Sequence, residues 1–206
     1  MNYFTADPHI YHEKAVLFPD RREFTVESWA EMFFGLVNQK VTKSDRLFIL
    51  GDFALGSGMA PFINARMALK PKDIWLIKGN HDASDEVCKK VFGDKFRHVH
   101  ESKVKDTPTW LSHYPHLVWP KSHYGSFHLY GHVHDQRTDF WDSIPELKER
   151  RSLDVCPESY KRHFGEWGIF SEDQVFDILS SRKGNDDVTW YREQRGELIA
   201  PKEEKE

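Results

Sequence analysis

The chain has 206 residues, 39% hydrophobic and 14% aromatic with 7 Trp and 15 Phe, a composition that excludes intrinsic disorder and fits one globular domain over residues 1–206 with a core that needs no covalent staples. A formal net charge of -4 argues against a broad electrostatic nucleic-acid binder, and two solitary cysteines, Cys88 and Cys156, argue against a disulfide framework or a thiolate zinc site. What composition leaves over is 12 His beside 33 Asp and Glu, an excess of metal-ligand types with almost no thiol.

Residues 2–6 read as a short strand, followed at once by Asp7 and His9. Apolar positions Val26, Trp29, Ala30, Phe33, Leu36 and Val37 recur at helical spacing after Thr25 and predict a helix over 26–40. An apolar run over 46–50 ends at Gly51 as a buried strand does, 59–69 reads as a second helix, and 74–77 as another strand, ending at Gly79. Ser84 caps a predicted helix over 85–92, and short strand-like segments follow at 96–99, 109–112, 127–130 and 152–155. Ser171 and Gln174 form a capping box for a helix over 172–180, and 201–206 is a charged tail. This alternation predicts a layered α/β fold. No apolar run approaches the about 18 residues that span a bilayer, and no basic stretch leads into an apolar one at the start, so the expected location is the cytoplasm with no membrane partner.

Five polar clusters follow the strand-like runs: Asp7-Pro8-His9, Gly51-Asp52, Gly79-Asn80-His81-Asp82, Ser112-His113 and Gly131-His132-Val133-His134. An α/β sheet collects the carboxyl ends of its parallel strands on one side, so these clusters can converge, and the glycines permit close backbone approach. Imidazole, carboxylate and amide oxygen suit Mn²⁺, Fe or Zn²⁺, with Mn²⁺ favoured. Seven candidates exceed one tetrahedral shell, so two ions sharing a carboxylate is the economical reading. In an extended segment His132 and His134 point in alternate directions and can serve different ions.

In this order, D-x-H, G-D, G-N-H-D, a lone His and G-H-x-H resemble the motifs of the calcineurin-like metallophosphoesterase superfamily. The resemblance implies a four-layer αββα sandwich of two mixed sheets flanked by helices. It implies one ion on Asp7, His9, Asp52 and His134, and a second on Asp52, Asn80, His113 and His132, with Asp52 bridging. It also implies that His81 faces the substrate and that Asp82 orients it. Two such ions lower the pKa of a bridging water and clamp phosphoryl oxygens, while a protonated His81 donates to the leaving oxygen. His113 is chosen over His116, His123 and His128 because the strand-like 109–111 precedes it.

Departures narrow the class. The segment Gly51 to Gly56 has no Arg, unlike the superfamily's phosphoprotein phosphatases; His81 stands where some small phosphodiesterases carry Cys; and the chain has little room for the caps of the break-repair nucleases. Arg22-Glu23-Phe24 and the stretch from Ser122 to His132 are similar to segments of small bacterial and phage-type members. That likeness implies Arg22 as a phosphate contact, the alternative being a solvated charge beside Arg21, and His123 as a residue lining the substrate pocket, the alternative being a histidine packed under the Gly125 turn. His12 is either a neighbour of the site or a loop residue. Trp119, Trp141, Trp167 and Trp190 either stack on a base, with Trp119 the foremost candidate, or fill the core. Residues 148–151 read as a solvated basic helix face.

The function expected is two-metal hydrolysis of a phosphoester, a phosphodiester on a nucleotide or nucleic-acid-derived substrate, without a stable nucleic-acid complex. The alternatives are a phosphomonoesterase and a metal-dependent nuclease. A non-catalytic scaffold is disfavoured because every expected ligand is present.

Overall fold

A computed structural model describes residues 1–55, 59–136, 149–182 and 184. Its first sheet holds β1 (Asn2–Thr5), β2 (Arg46–Ile49), β3 (Asp73–Ile77) and β4 (Phe96–Arg97), all parallel, in the order β4-β3-β2-β1. Parallel neighbours need crossovers, and α1 (Val26–Lys40), α2 (Ala60–Ala68) and α3 (Asp85–Phe92) supply them. The second sheet begins with β5 (Val99–Val104) and β6 (Thr107–Ser112), an antiparallel pair, and continues in parallel through β7 (Phe127–Tyr130) and β8 (Ser152–Asp154). The chain then forms α4 (Pro157–Phe164), β9 (Phe170–Ser171) antiparallel to β1 at the edge of the first sheet, and α5 (Glu172–Ser180). Two mixed sheets flanked by helices are the architecture of the metallophosphoesterase fold.

Residue chemistry explains the layers. α1 starts at a capping box in which Thr25 and Ser28 bond reciprocally, and it turns Trp29, Ala30, Phe33 and Val37 inward. These pack on Leu47, Ile49, Ile74 and Leu76 together with Phe62, Ala65, Cys88 and Phe92. The alternate residues, Phe4, Phe48, Leu50 and Ile77, face the second sheet and meet Leu111, Phe127, Leu129 and Leu153. Burial on both faces is why Leu47 to Leu50 is a continuous apolar run rather than an alternating one. Tyr160 of α4 and Val175 and Leu179 of α5 join the core between the sheets. No helix among the described residues is long and apolar enough to cross a membrane.

Three elements fall outside the sequence expectations: β5, α4 and the two-residue β9. β5 carries mostly polar residues because it is an edge strand with one exposed face. α4 lacks an apolar stripe of useful length; the Cys156 thiol caps it by accepting from the Ser159 N–H at 3.4 Å. The carboxyl ends of β1, β2, β3, β6 and β7 all lie at one edge of the sandwich, and pairing continues past them into the loops. There the Asp7 N–H donates to Gly51 O at 3.0 Å, the His9 N–H to Asp52 O at 2.9 Å and the Gly131 N–H to His113 O at 2.9 Å.

Candidate metal centre

At this edge the five loops bring together two ligand groups, Asp7 with His9 and His134, and Asp52 with His113 and His132. Within the first, the Nε2 atoms of His9 and His134 face each other at 3.1 Å. Within the second, His113 Nδ1 donates to Leu50 O at 2.9 Å, which leaves Nε2 as the acceptor, 3.0 Å from Asn80 Oδ1. The groups meet at one atom: Asp52 Oδ2 lies 3.5 Å from His9 Nε2 and 3.6 Å from His113 Nε2. The other oxygen, Oδ1, accepts the His81 N–H at 2.8 Å. His81 is exposed at the mouth, its ring 5.4 Å from that of His9 and 5.7 Å from that of His12.

The backbone is bent to make this possible. Five of the seven candidate ligands, Asp7, His9, Asp52, His132 and His134, have φ between 48° and 73°, the left-handed region that non-glycine residues seldom occupy. Glycine is required where the loops touch. A Cβ at Gly79 would run into Asp52 Oδ1, and one at Gly131 into Asp7 Oδ2, which also accepts the His132 N–H at 2.7 Å.

The electrostatics favour a cation. Burial, then Asp154 and Asp52, push the Asp7 carboxyl well above the usual carboxylate range, against the His132 N–H. Burial lifts Asp154 to about 6, against the N–H groups of Asp135 and Cys156. Burial, then His134 and Arg21, drive His9 down to about 2, and burial lowers His113 and His132 as well. His9, His113 and His132 are therefore driven toward the neutral form, the form that binds metal, while Asp7 and Asp154 are crowded carboxylates with no cationic side chain among the causes of their shifts. Asp7 Oδ1 is buried without a hydrogen bond. Nitrogen and oxygen donors converging on such an atom fit a pair of divalent ions.

The remaining candidates take the following places. Asp82 does not orient His81: its Oδ2 accepts the N–H groups of Gly79 at 2.8 Å and Asp52 at 3.0 Å, and its Oδ1 that of Phe53 at 2.7 Å. It laces the β2 and β3 loops together, and burial pushes its carboxyl up to about 7 against those donors. Arg22 is exposed, and no hydrogen bond or ion pair ties it to either ligand group; its neighbour Arg21 is the buried one. His123 sits on the turn Ser122–Tyr124 with its ring 4.2 Å from that of Tyr124. Trp119 is buried, its Nε1 donating to Ser126, so it is core rather than a stacking platform. Trp167 packs on Trp29 and Phe24, while Trp141 and Trp190 lie outside the described residues. Arg150 and Arg151 are not a solvated face: they donate to carbonyls of His116, Leu117, Gly125 and Arg182.

Sequence reasoning missed Arg21, Asp154 and Glu158, all buried beside the Asp7 loop. Their local sequence carries no sign of burial. The nearest signal is Asp154 as the last residue of the buried strand β8, near the strand end as Asp52 is near that of β2.

The model of the calcineurin-like phosphoesterase family matches residues 3–195. An uncharacterized protein of Methanocaldococcus jannaschii is 26% identical over 156 residues, 76% of this chain and 81% of its own. Among solved structures, a protein of unknown function from Aquifex aeolicus has a TM-score of 0.65 at 22% identity, covering 87% of this chain and 99% of that one. A phosphoesterase from E. coli has a TM-score of 0.41 at 19% identity over 65% of this chain and 69% of its own.

Proposed function

The chain belongs to the calcineurin-like phosphoesterase family, and from that premise we propose that it is a dinuclear phosphodiesterase of the cytoplasm, a single domain acting on a nucleotide or a nucleic-acid-derived diester with Mn²⁺ as the favoured ion. The observation that carries the reading is Asp52 Oδ2, one carboxylate oxygen faced by a histidine of each ligand group. Asp7, His9 and His134 would hold one ion, His113, His132 and Asn80 the other, and Asp52 both. Such a pair supplies Lewis acidity, activating water and neutralising phosphoryl oxygens during in-line displacement.

The chain's own side chains do the rest. His81, tethered through its N–H to Asp52 and open to solvent, would hold a proton for the leaving oxygen. Asp82 fixes the loop that presents it. Preference for a diester is supported by charge: the phosphoryl group of a diester carries one negative charge, and Arg22, which the sequence offers as a phosphate contact, has no hydrogen bond or ion pair to either ligand group. The test is turnover of bis-p-nitrophenyl phosphate against p-nitrophenyl phosphate by Mn²⁺-reconstituted protein. Diester turnover is expected, and exclusive monoester turnover would make the protein a monoesterase. Cleavage of single-stranded DNA or RNA with a steep salt dependence would mark a nuclease instead.

A further inference from the structure

The geometry points to the buried Arg21–Glu158 pair as the device that positions all three side chains of the Asp7, His9 and His134 group, an inference that rests on the reading above that this group holds an ion. Arg21 is 0% exposed and Glu158 5%. Burying two charges gains little over an apolar pair of the same volume, so packing alone does not account for them.

On the β1 side, Arg21 Nη2 donates to Asp7 O at 2.8 Å and Nη1 to Pro8 O at 3.3 Å. These carbonyls lie within the bent segment that carries Asp7 and His9. The Trp29 ring lies 4.1 Å from the guanidinium carbon, and its Nε1 donates to the same Pro8 O at 2.6 Å, so the plane of the fork is fixed. On the α4 side, Glu158 takes the fork with both oxygens, Oε1 from Arg21 Nε and Oε2 from Nη2 at 3.0 Å. The same Oε2 lies 3.9 Å from His134 Nδ1, a buried ring nitrogen without a hydrogen bond. With His134 Nε2 turned toward His9, the tautomer that keeps Nε2 free for an ion puts the proton on Nδ1, toward Glu158. Carboxylates placed behind ligand histidines fix their tautomer and ring direction. One ion pair thus holds the Asp7 loop by its carbonyls and stands 3.9 Å behind the His134 ring, while no hydrogen bond or ion pair joins it to Asp52, Asn80, His113 or His132. Its effect should be confined to one of two sites.

Mn²⁺ alone is titrated by calorimetry, with bound metal counted after gel filtration, into the full chain, Glu158→Gln, and the charge-free double variant Arg21→Met with Glu158→Leu. The wild-type chain should bind two ions. Each variant should keep one site at wild-type affinity and weaken the other by about 10–100-fold. Because Glu158→Gln strands a buried guanidinium and can unfold for that reason alone, the double variant decides, and it should melt near the wild-type temperature. Two wild-type sites in the double variant, equal weakening of both sites, or a double variant that does not fold would each overturn the assignment, the last by making the pair a requirement of the fold. Wild-type protein that binds no Mn²⁺ would instead sink the dinuclear reading itself.

Discussion

Asp82→Asn separates a loop brace from a catalytic partner. The carboxylate accepts three backbone N–H groups, two on Oδ2 and one on Oδ1, and asparagine has a single acceptor oxygen. In its better orientation the amide oxygen keeps Gly79 and Asp52, and the NH₂ group then faces the Phe53 N–H, donor against donor. In the other it keeps Phe53 and strands two donors. At least one buried N–H therefore loses its partner, a cost of about 1–3 kcal/mol. For a chain of this size that corresponds to a fall in Tm of roughly 2–12 °C at about 2–4 °C per kcal/mol. The assay is thermal unfolding by circular dichroism in EDTA, so that no bound metal contributes, with kcat measured separately in Mn²⁺. An unchanged Tm together with a kcat loss as large as that of His81→Ala would refute the brace and restore Asp82 as the partner of His81.

Other expectations follow from the same geometry. His81→Ala should retain two Mn²⁺ and lose about 10²–10⁴ in turnover, whereas Asp52→Asn should lose metal because the shared oxygen loses its charge; equal metal loss in both would move His81 into the ligand set. Chelation should lower Tm, since an ion at 1,000 times its Kd stabilises the folded chain by about 4 kcal/mol; identical melting in EDTA and Mn²⁺ would exclude tight binding. His128 gives an acid-dependent stability: Nδ1 donates to Trp110 O and Nε2 accepts the His116 N–H, each at 3.1 Å, and burial pushes its pKa down to about 3. Below about pH 6.5 the unfolded chain takes up a proton that the folded chain refuses, so this contribution is intact above pH 6.5 and falls toward pH 3 by about 1.4 kcal/mol per unit. In urea unfolding from pH 7 to 4, the slope of stability against pH should be smaller by about one proton in His128→Gln than in the wild-type chain; parallel slopes would contradict it.

The first half of the fold is legible because each element satisfies a local rule. The run at Leu47 to Leu50 ends in glycine, the α1 stripe begins behind Thr25, and α3 begins behind Ser84. β5 and α4 obey tertiary rules instead. The first is a strand because β6 pairs with it, and the second is held by Tyr160 in the core between the sheets and by Glu158 on a residue 137 positions away. The same division runs through the site. Ligand types are legible because each stands at a strand end, but which of Arg21 and Arg22 turns inward is decided by Glu158, and no local pattern contains that. Asp82 misleads for a related reason: an Asp following His81 reads as its orienter, yet its three donors come from residues on two different loops.

The bent ligand backbone ties these observations together. A left-handed residue costs about 1–2 kcal/mol, so Asp7, His9, Asp52, His132 and His134 together hold roughly 5–10 kcal/mol, comparable with the about 5–15 kcal/mol of net stability of a whole domain. Free-standing loops would relax rather than carry such a load. The loops at this edge are pinned to one another, by Asp82 across β2 and β3, by the inter-loop bonds of Asp7, His9 and Gly131, and by Arg21 on the carbonyls of Asp7 and Pro8. Folding has then already met the cost of arranging the donors, and an incoming ion need not order them, which is how a preorganised site gains affinity. It follows that weakening one brace should release strain locally: metal affinity should suffer more than global stability wherever the brace carries no core side chain, as at Asp82, and least selectively where it does, as at Trp29 beneath Arg21.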